Sequence, residues 1–448
     1  MRFVPRAGGV TALAALGLAL VPTVPVQADA SDSPSAIPCS VAALIDAIDA
    51  ANAAGGGTIQ LARKCVYRLV EVNNVGPSGD ANGLPVIITP ITIKGGKDSV
   101  IERSTAVGVP DFRIFEIADP AGALTLDGEG RGGDGWGTAS MANDVLAQHG
   151  IDRGRGDSEL VVRNGSTTDE GGAVFVGEGR SLTLKSTVLT RNHADDAGGA
   201  VFAADGSTVV VSRSSVDKNT ADGAGGGIAA SETEVRLNSS SVDRNIGELG
   251  GGIATEGGTL SLRSTTVNKN RATDDVGGVF TNNTPATFIR SEINENVAVG
   301  EAGGLFIVAD PGIVTNFDRV EVKGNVAANA GGLVTSGITT IENSSITKNT
   351  ANDDGGVGGG IVNLATLNVE NTVIKENKAT AADSQGGGLY NDDGTATLTD
   401  SKVVRNRAAD GGGIFEEPGT TVDLVRTKVK DNEVNNCAPA GAVPGCID

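Results

Sequence analysis

The chain has 448 residues and a formal net charge of −20, from 35 Lys and Arg against 55 Asp and Glu. Because nucleic-acid binding needs basic residues clustered on one face, this scattered and outnumbered set argues against a nucleic-acid-binding protein. Aromatic residues make up 3% and Gly accounts for 65 residues, which excludes an ordinary globular core built on large side chains.

The first 28 residues have the pattern of a secretory signal peptide. Arg2 and Arg6 provide the positive start, and residues 11–21 form an apolar run too short to span a bilayer. Residues 26–28 are a plausible cleavage site, followed by a loose leader at residues 29–38. We therefore predict a secreted, extracellular protein without a membrane span.

The next stretch has helical periodicity. Val41, Leu44 and Ile48 recur at three- and four-residue steps, Ser40 is a suitable N-cap, and the glycines at residues 55–57 end the pattern. We predict a short helix that caps the exposed end of a stack of coils. Short strands separated by Gly, Pro and Asp follow as early coils, up to residue 126.

Residues 127–158 break the strand pattern and are rich in glycine. We predict an extended loop insertion here, because long insertions in repeat proteins map to loops. An Arg-Gly-Asp tripeptide at residues 155–157 matches a cell-attachment motif, and we attribute it to chance in a chain this rich in Gly and Asp.

Regular repeats occupy residues 159–434. An aliphatic residue stands three places before an Asn, and two or three glycines and another aliphatic residue follow, with a spacing of about 27 residues that is typical of a solenoid. Asn tolerates the left-handed turn conformation, and stacked amides can bond from coil to coil about 4.8 Å apart. We predict one ladder of asparagines: Asn164, Asn192, Asn219, Asn245, Asn270, Asn296, Asn325, Asn349, Asn377, Asn406 and Asn432.

One repeat unit contains three short strands, at residues 227–230, 234–238 and 241–244. Val235 and Leu237 alternate with Arg236, so the aliphatic residues face inward. The sequence therefore predicts an all-β solenoid, a parallel β-helix with three sheets, over residues 39–434.

The four cysteines allow three pairings. We favour the two local ones, Cys39–Cys65 and Cys437–Cys446, because each would close one end of the solenoid in an oxidising compartment. Residues 435–448 are then a disulfide-bonded tail. The cysteine spacing does not suit a metal site.

These motifs resemble those of right-handed, single-stranded parallel β-helix proteins. The aliphatic-x-x-Asn and Gly-Gly-aliphatic phrase is similar to the repeat of polymorphic outer-membrane-type proteins. The opening, residues 39–41 with Ala51 and Asn52, resembles the first helix of secreted bacterial β-helix proteins, and residues 55–61 resemble the first coil of pectate-lyase-like proteins. The resemblance implies a right-handed helix and, for the last group, activity on polysaccharides.

Acidic residues recur between each Asn and the next Gly pair. Stacking would bring several carboxylates to one edge, where they could hold Ca²⁺. The alternative is a solvated acidic edge that prevents aggregation, with no cofactor, and the spacing differs from that of the calcium-binding β-roll. The candidate calcium ligands are Asp195, Asp196, Asp222, Asp274 and Asp275.

The sequence assigns no catalytic residue. The signatures of β-helix hydrolases are missing, and Tyr67, Trp136 and Tyr390 are the whole supply of Tyr and Trp for sugar stacking. We favour a monomeric, non-catalytic scaffold or surface-interaction protein, adhesin-like or polysaccharide-binding, with an extracellular polysaccharide or protein surface as partner. The alternative is a polysaccharide lyase or glycoside hydrolase.

Overall fold

The computed structural model describes residues 35–95, 98–128, 159–353 and 355–447, and all structural statements below refer to these. The described residues from Ala36 onward form one compact unit. The predicted signal peptide, most of the leader and nearly all of the predicted insertion, including the Arg-Gly-Asp tripeptide, lie outside the described residues.

A single helix, Val41–Ala53, begins the described fold. The Ser40 hydroxyl caps it by accepting a hydrogen bond from the Ala43 N–H at 3.2 Å. Leu44, Ile48 and Ala51 form its buried face, which contacts the first strands. The helix therefore covers the apolar end of the stack, as its periodicity predicts.

Three long parallel sheets form the body of the molecule. Sheet 1 contains Gly57–Gln60, Pro90–Lys94, Ala123–Asp127, Ser181–Lys185, Thr208–Ser212, Glu234–Asn238, Thr259–Arg263, Ala286–Ile289, Val314–Asp318, Ile338–Glu342, Thr366–Glu370, Thr395–Thr399 and Thr421–Val425. Sheet 2 contains Val66–Leu69, Ser99–Arg103, Leu160–Arg163, Thr187–Thr190, Ser215–Asp217, Ser241–Asp243, Thr266–Asn268, Glu292–Asn294, Glu321–Lys323, Ser345–Thr347, Val373–Lys375, Lys402–Val404 and Lys428–Lys430. Sheet 3 contains Phe115–Ile117, Val174–Val176, Val201–Ala203, Ile228–Ser231, Ile253–Glu256, Val279–Asn282, Leu305–Val308, Leu333–Thr335, Ile361–Asn363, Leu389–Asn391, Ile414–Glu416 and Cys437–Ala438.

Shorter strands complete the coils. Two-residue parallel strands follow sheet 2 at Ser166–Thr167, His193–Ala194, Thr220–Ala221, Ile246–Gly247, Arg271–Ala272, Val326–Ala327, Thr350–Ala351 and Lys378–Ala379. An antiparallel hairpin joins Asn74–Val75 to Ala81–Asn82.

Equivalent residues of successive coils pair in register. Val242 pairs with Val216 on one side and with Val267 on the other, and all three are buried. The inward aliphatic residues of the three sheets form one continuous core from Leu44 to Val443. The predicted all-β parallel β-helix with three sheets and a capping helix is thus confirmed.

Two disulfides lie near the two ends of this core. They join Cys39 to Cys65 and Cys437 to Cys446, so the cysteines pair with their sequence neighbours. In the described part of the chain, no helix has the length and apolarity needed to cross a bilayer.

Ten asparagines form a ladder after sheet 2, and all but the last, Asn432, are buried. Each Nδ2 donates to the Oδ1 of the Asn in the next coil at 2.9–3.1 Å. The last of these, Asn432, donates instead to Asn436, which the sequence reasoning missed. The members are Asn192, Asn219, Asn245, Asn270, Asn296, Asn325, Asn349, Asn377, Asn406 and Asn432.

The prediction for Asn164 was wrong by one position. The N–H of Gly165 donates to Asn192 Oδ1 at 3.0 Å, so Gly165 occupies the place of a ladder residue. Asn164 has φ 63° and matches Arg191, which has φ 56°. At this corner of each regular coil, the left-handed residue is the one before the ladder Asn. The tolerance of Asn for the left-handed conformation therefore does not explain why Asn occupies the ladder position.

Candidate functional site

The outward face of sheet 3 carries an apolar stripe. Val174 and Val176 point into the core, whereas Phe175 between them points outward and stays partly exposed. The same position in successive strands defines the outer stripe: Glu116, Phe175, Phe202, Ala229, Ala254, Phe280, Phe306, Val334, Val362, Tyr390, Phe415 and Ala438.

Aromatic residues of the outer stripe occur in adjacent pairs. The rings of Phe175 and Phe202 stack with centroids 5.6 Å apart, and those of Phe280 and Phe306 meet edge to face at 6.2 Å. Between these pairs the stripe carries only the small side chains of Ala229 and Ala254. The four Phe side chains are only half-buried, so part of each ring is exposed to solvent.

The C-terminal half of the stripe is covered. Tyr390 and Phe415 stack at 5.6 Å, and both are buried against a small cluster that includes the loop residue Val357. The Tyr390 hydroxyl donates to Glu417 at 2.6 Å, and burial together with this bond raises the pKa of Tyr390. This half forms a second, smaller core. The accessible part of the stripe is therefore the half that bears Phe175, Phe202, Phe280 and Phe306.

A charged cluster lies at the N-terminal end of the stripe, around Arg113. This side chain is fully buried, and its guanidinium lies 4.8 Å from the centroid of the Phe175 ring. It pairs with Asp80, lies 3.5 Å from Glu116, and donates to the main-chain carbonyl of Glu170 at 2.9 Å. Burial lowers the pKa of Arg113, although the nearby acids oppose that shift. The arginine therefore ties the hairpin at residues 74–82 to the first regular coils.

Glu170 is the carboxyl whose charge is most strongly disfavoured here. Burial first, and then repulsion from Asp169 and Asp196, raise the pKa of Glu170 to about 7. Burial and repulsion from Asp80 also raise the pKa of Asp169. A carboxyl that titrates near neutrality can hold or release a proton, which is a common property of functional sites.

The five candidate calcium ligands do not form one site. Asp196 joins Asp169 and Glu170 in one group whose ligand atoms lie within 4.8 Å of one another. Asp195 and Asp222 join His193 in a second group, where His193 Nε2 lies 2.9 Å from Asp195 Oδ1. Either group could hold a cation.

Asp274 and Asp275 belong to neither of these groups. Burial and repulsion from Asp274, Glu301 and Glu248 raise the pKa of Asp275. Asp195 and Asp196 are neighbours in sequence yet join different groups, so matching positions in the repeat did not ensure a shared site.

Sequence reasoning missed the outer stripe because it considered Tyr and Trp alone as sugar platforms. The signal was present: the residue after the aliphatic that follows each Gly pair is Phe or Tyr in six coils. Glu170 was missed although it also precedes a Gly pair, because its raised pKa depends on burial and on Asp169 and Asp196 rather than on its place in the repeat.

No model of a protein family matches the chain, and no curated protein matches it. Two solved structures are similar to it. One is the A-module of the Azotobacter vinelandii mannuronan C-5 epimerase AlgE4, at 14% identity and a TM-score of 0.35, covering 86% of this chain and 90% of that one. The other is tailspike protein 3 of bacteriophage CBA120, at 13% identity and a TM-score of 0.32. That match covers 93% of this chain but 60% of the tailspike. At these identities the similarities concern the fold alone.

Proposed function

We propose that the protein is a secreted, non-catalytic β-helix that binds an extended polysaccharide along the outer stripe. The observation that carries this proposal is the row of half-buried Phe rings in register: Phe175, Phe202, Phe280 and Phe306. The exposed parts of these rings offer rigid, apolar contact area for the C–H groups of sugar rings, and aromatic linings are typical of small-molecule sites.

The direction of the stripe favours a linear polymer. Successive coils of a parallel solenoid lie about 4.8 Å apart, so the rings form a row parallel to the long axis. This step is close to the length of one sugar residue in an extended chain. Two disulfides also fit the predicted extracellular compartment.

A glycan array followed by calorimetry tests the proposal. The double variant Phe175→Ala/Phe202→Ala should lose at least about tenfold in affinity for the polymer that the unaltered chain binds, which corresponds to about 1.4 kcal/mol. Val308→Ala is the control, because Val308 is an exposed apolar residue on sheet 3 outside the stripe. Equal affinity of the double variant and the control would contradict this function.

A second candidate, a polysaccharide lyase or glycoside hydrolase, is favoured by the raised pKa of Glu170. Arg113 contacts both the Glu170 carbonyl and the Phe175 ring, so Glu170 lies near the N-terminal end of the stripe. Release of reducing ends or unsaturated uronates from any polymer, abolished by Glu170→Gln, would replace the non-catalytic proposal. Binding without turnover supports it.

The titration of Glu170 is measurable without a substrate. Between pH 4.5 and about 7 the folded state retains a proton that the unfolded state has lost, so stability falls as pH rises through this window. Glu170→Gln should remove that loss and gain roughly 1–2 kcal/mol over the unaltered chain at pH 8, after screening by solvent. At pH 4 the two proteins should unfold at the same urea concentration.

A further inference from the structure

The outward face of sheet 2 changes charge along the solenoid. At one position of successive strands, Glu292 pairs in register with Glu321, whereas further along Lys402 pairs with Lys428. Both lysines are exposed. The C-terminal end of this face is therefore basic in a chain with a net charge of −20.

The basic end forms a groove of about 390 Å³, which we call the lysine groove. Its lining consists of Lys402, Val404, Arg405, Lys428, Lys430 and Asp431. An apolar residue thus lies among four cations and one acid.

Each nearby acid lies close to a cation other than Lys402 and Lys428. Asp431 lies 2.9 Å from Lys430, and Glu376 lies 2.9 Å from Lys375 and 3.8 Å from Arg405. Asp400, in the turn beside the groove, accepts two bonds from Arg426 at 2.6 and 2.7 Å.

None of these ion pairs includes Lys402 or Lys428. Neither has an ion-pair partner within the described residues. Like charges directly opposite each other on adjacent strands are destabilising. An anion lying across the two ammonium groups would remove that repulsion, so the groove is better suited to a charged ligand than to water alone.

We propose that the lysine groove binds an anionic polysaccharide. Compact ammonium groups on adjacent coils match anionic groups that recur along an extended chain, and Val404 offers an apolar contact for a sugar ring. Single-stranded nucleic acid would need aromatic stacking platforms, and the six lining residues include none.

This inference rests on the proposed function, which supplies the polysaccharide class of the partner. It adds that the polysaccharide is anionic. The two sites are separate, because the lysine groove lies on sheet 2 and the outer stripe lies on sheet 3. Failure of one therefore leaves a distinct signature. Substitutions in the groove should change the affinity for anionic polymers alone, whereas substitutions in the stripe should also change the affinity for neutral polymers.

Calorimetry with the full chain tests the groove. The probes are polygalacturonate, dextran sulfate, neutral dextran and a single-stranded oligonucleotide. We expect the two anionic polysaccharides to bind, with affinity at least about tenfold weaker when salt rises from about 50 mM to about 200 mM. Lys402→Gln/Lys428→Gln should weaken this binding at least about tenfold and should not lower the melting temperature.

The matched control is Lys269→Gln/Lys323→Gln, which removes two exposed cations that already have acidic partners, Glu295 and Glu321. Its affinity should stay within about twofold of the unaltered chain. Three results would overturn the inference: no binding of either anionic polysaccharide, equal loss in both double variants, or binding of the oligonucleotide as tight as that of the polysaccharides. Loss of neutral-polymer binding in the Phe175/Phe202 variant, with binding to the groove intact, separates the two sites.

Discussion

Each regular coil has a left-handed residue on either side of its sheet 2 strand, and the two corners formed there differ in the number of hydrogen bonds that stabilise them. In one coil, Ser239 at φ 49° precedes Ser240 at the corner between sheets 1 and 2. Arg244 at φ 56° precedes Asn245 at the corner after sheet 2. Both corners place a polar side chain inside the turn, where it bonds to the adjacent coils.

The asparagine corner saturates its side chain. Asn245 Nδ2 donates to Asn270 Oδ1 and to the Val216 carbonyl, each at 3.0 Å. Its Oδ1 accepts from the backbone N–H and the Nδ2 of Asn219 at 2.9 and 3.0 Å. A primary amide has two donors and two main acceptor directions, so all of them are used.

The serine and threonine corner makes fewer bonds. Ser240 Oγ accepts from the Ser214 N–H at 3.2 Å and donates to a nearby carbonyl. Val320 replaces the hydroxyl in this column, whereas the asparagine column continues unbroken from Asn192 to Asn432. The difference indicates that tolerance to substitution follows the number of buried partners a side chain satisfies.

The largest effect should come from Asn245→Ala. The change removes four buried bonds and leaves polar partners unsatisfied, so we expect a loss of about 3–5 kcal/mol in unfolding free energy, measured by urea denaturation. Asn164→Ala is the control, because Asn164 lies outside the ladder, and it should cost about 1 kcal/mol or less. Similar losses for the two variants would refute the assigned register.

The second-largest loss of unfolding free energy should come from crowding the backbone at the asparagine corner. A Cβ added to Gly226 would lie 2.2 Å from the carbonyl oxygen of Ile246, the residue after Asn245. We expect Gly226→Ala to cost about 2–3 kcal/mol, because backbone must move. Gly206→Ala, at φ +68° with its nearest atom 3.9 Å away, should cost about 1 kcal/mol from conformation alone. A smaller loss at Gly226 than at Gly206 would show that the corner adapts.

Ser240→Ala sharpens the comparison within one coil. Removal of a hydroxyl that accepts one bond and donates one should cost about 1 kcal/mol in the same urea measurement. A loss as large as that of Asn245→Ala would remove the distinction between the two corners.

The smallest effect should be a gain. Val320→Thr restores the missing hydroxyl at a buried position, where it can accept a bond from the N–H of the preceding coil. We expect about 0.5 kcal/mol of stabilisation. Val322→Thr, at a core position of the same coil, should instead destabilise by about 1–2 kcal/mol because its hydroxyl has no partner. Equal destabilisation by both would indicate that apolar packing governs both positions.

The sequence by itself determined the parallel β-helix, its capping helix and the course of the asparagine ladder. These features repeat, and repetition in a stacked fold places identical residues one above another. The same reliance on repetition caused one error. The repeat pattern placed Asn164 one residue away from the ladder position, and a shift of one residue reverses which side chain faces inward.

Only the tertiary structure decided the outer stripe, the charged cluster and the lysine groove. Each depends on which outward side chains meet across coils and on what covers them. Phe175 and Tyr390 occupy the same repeat position, yet the first is half-buried and the second is buried. Likewise burial, and then repulsion from Asp169 and Asp196, raise the pKa of Glu170. Periodicity sets the direction of a side chain, whereas its solvent exposure and charge environment depend on residues distant in the chain.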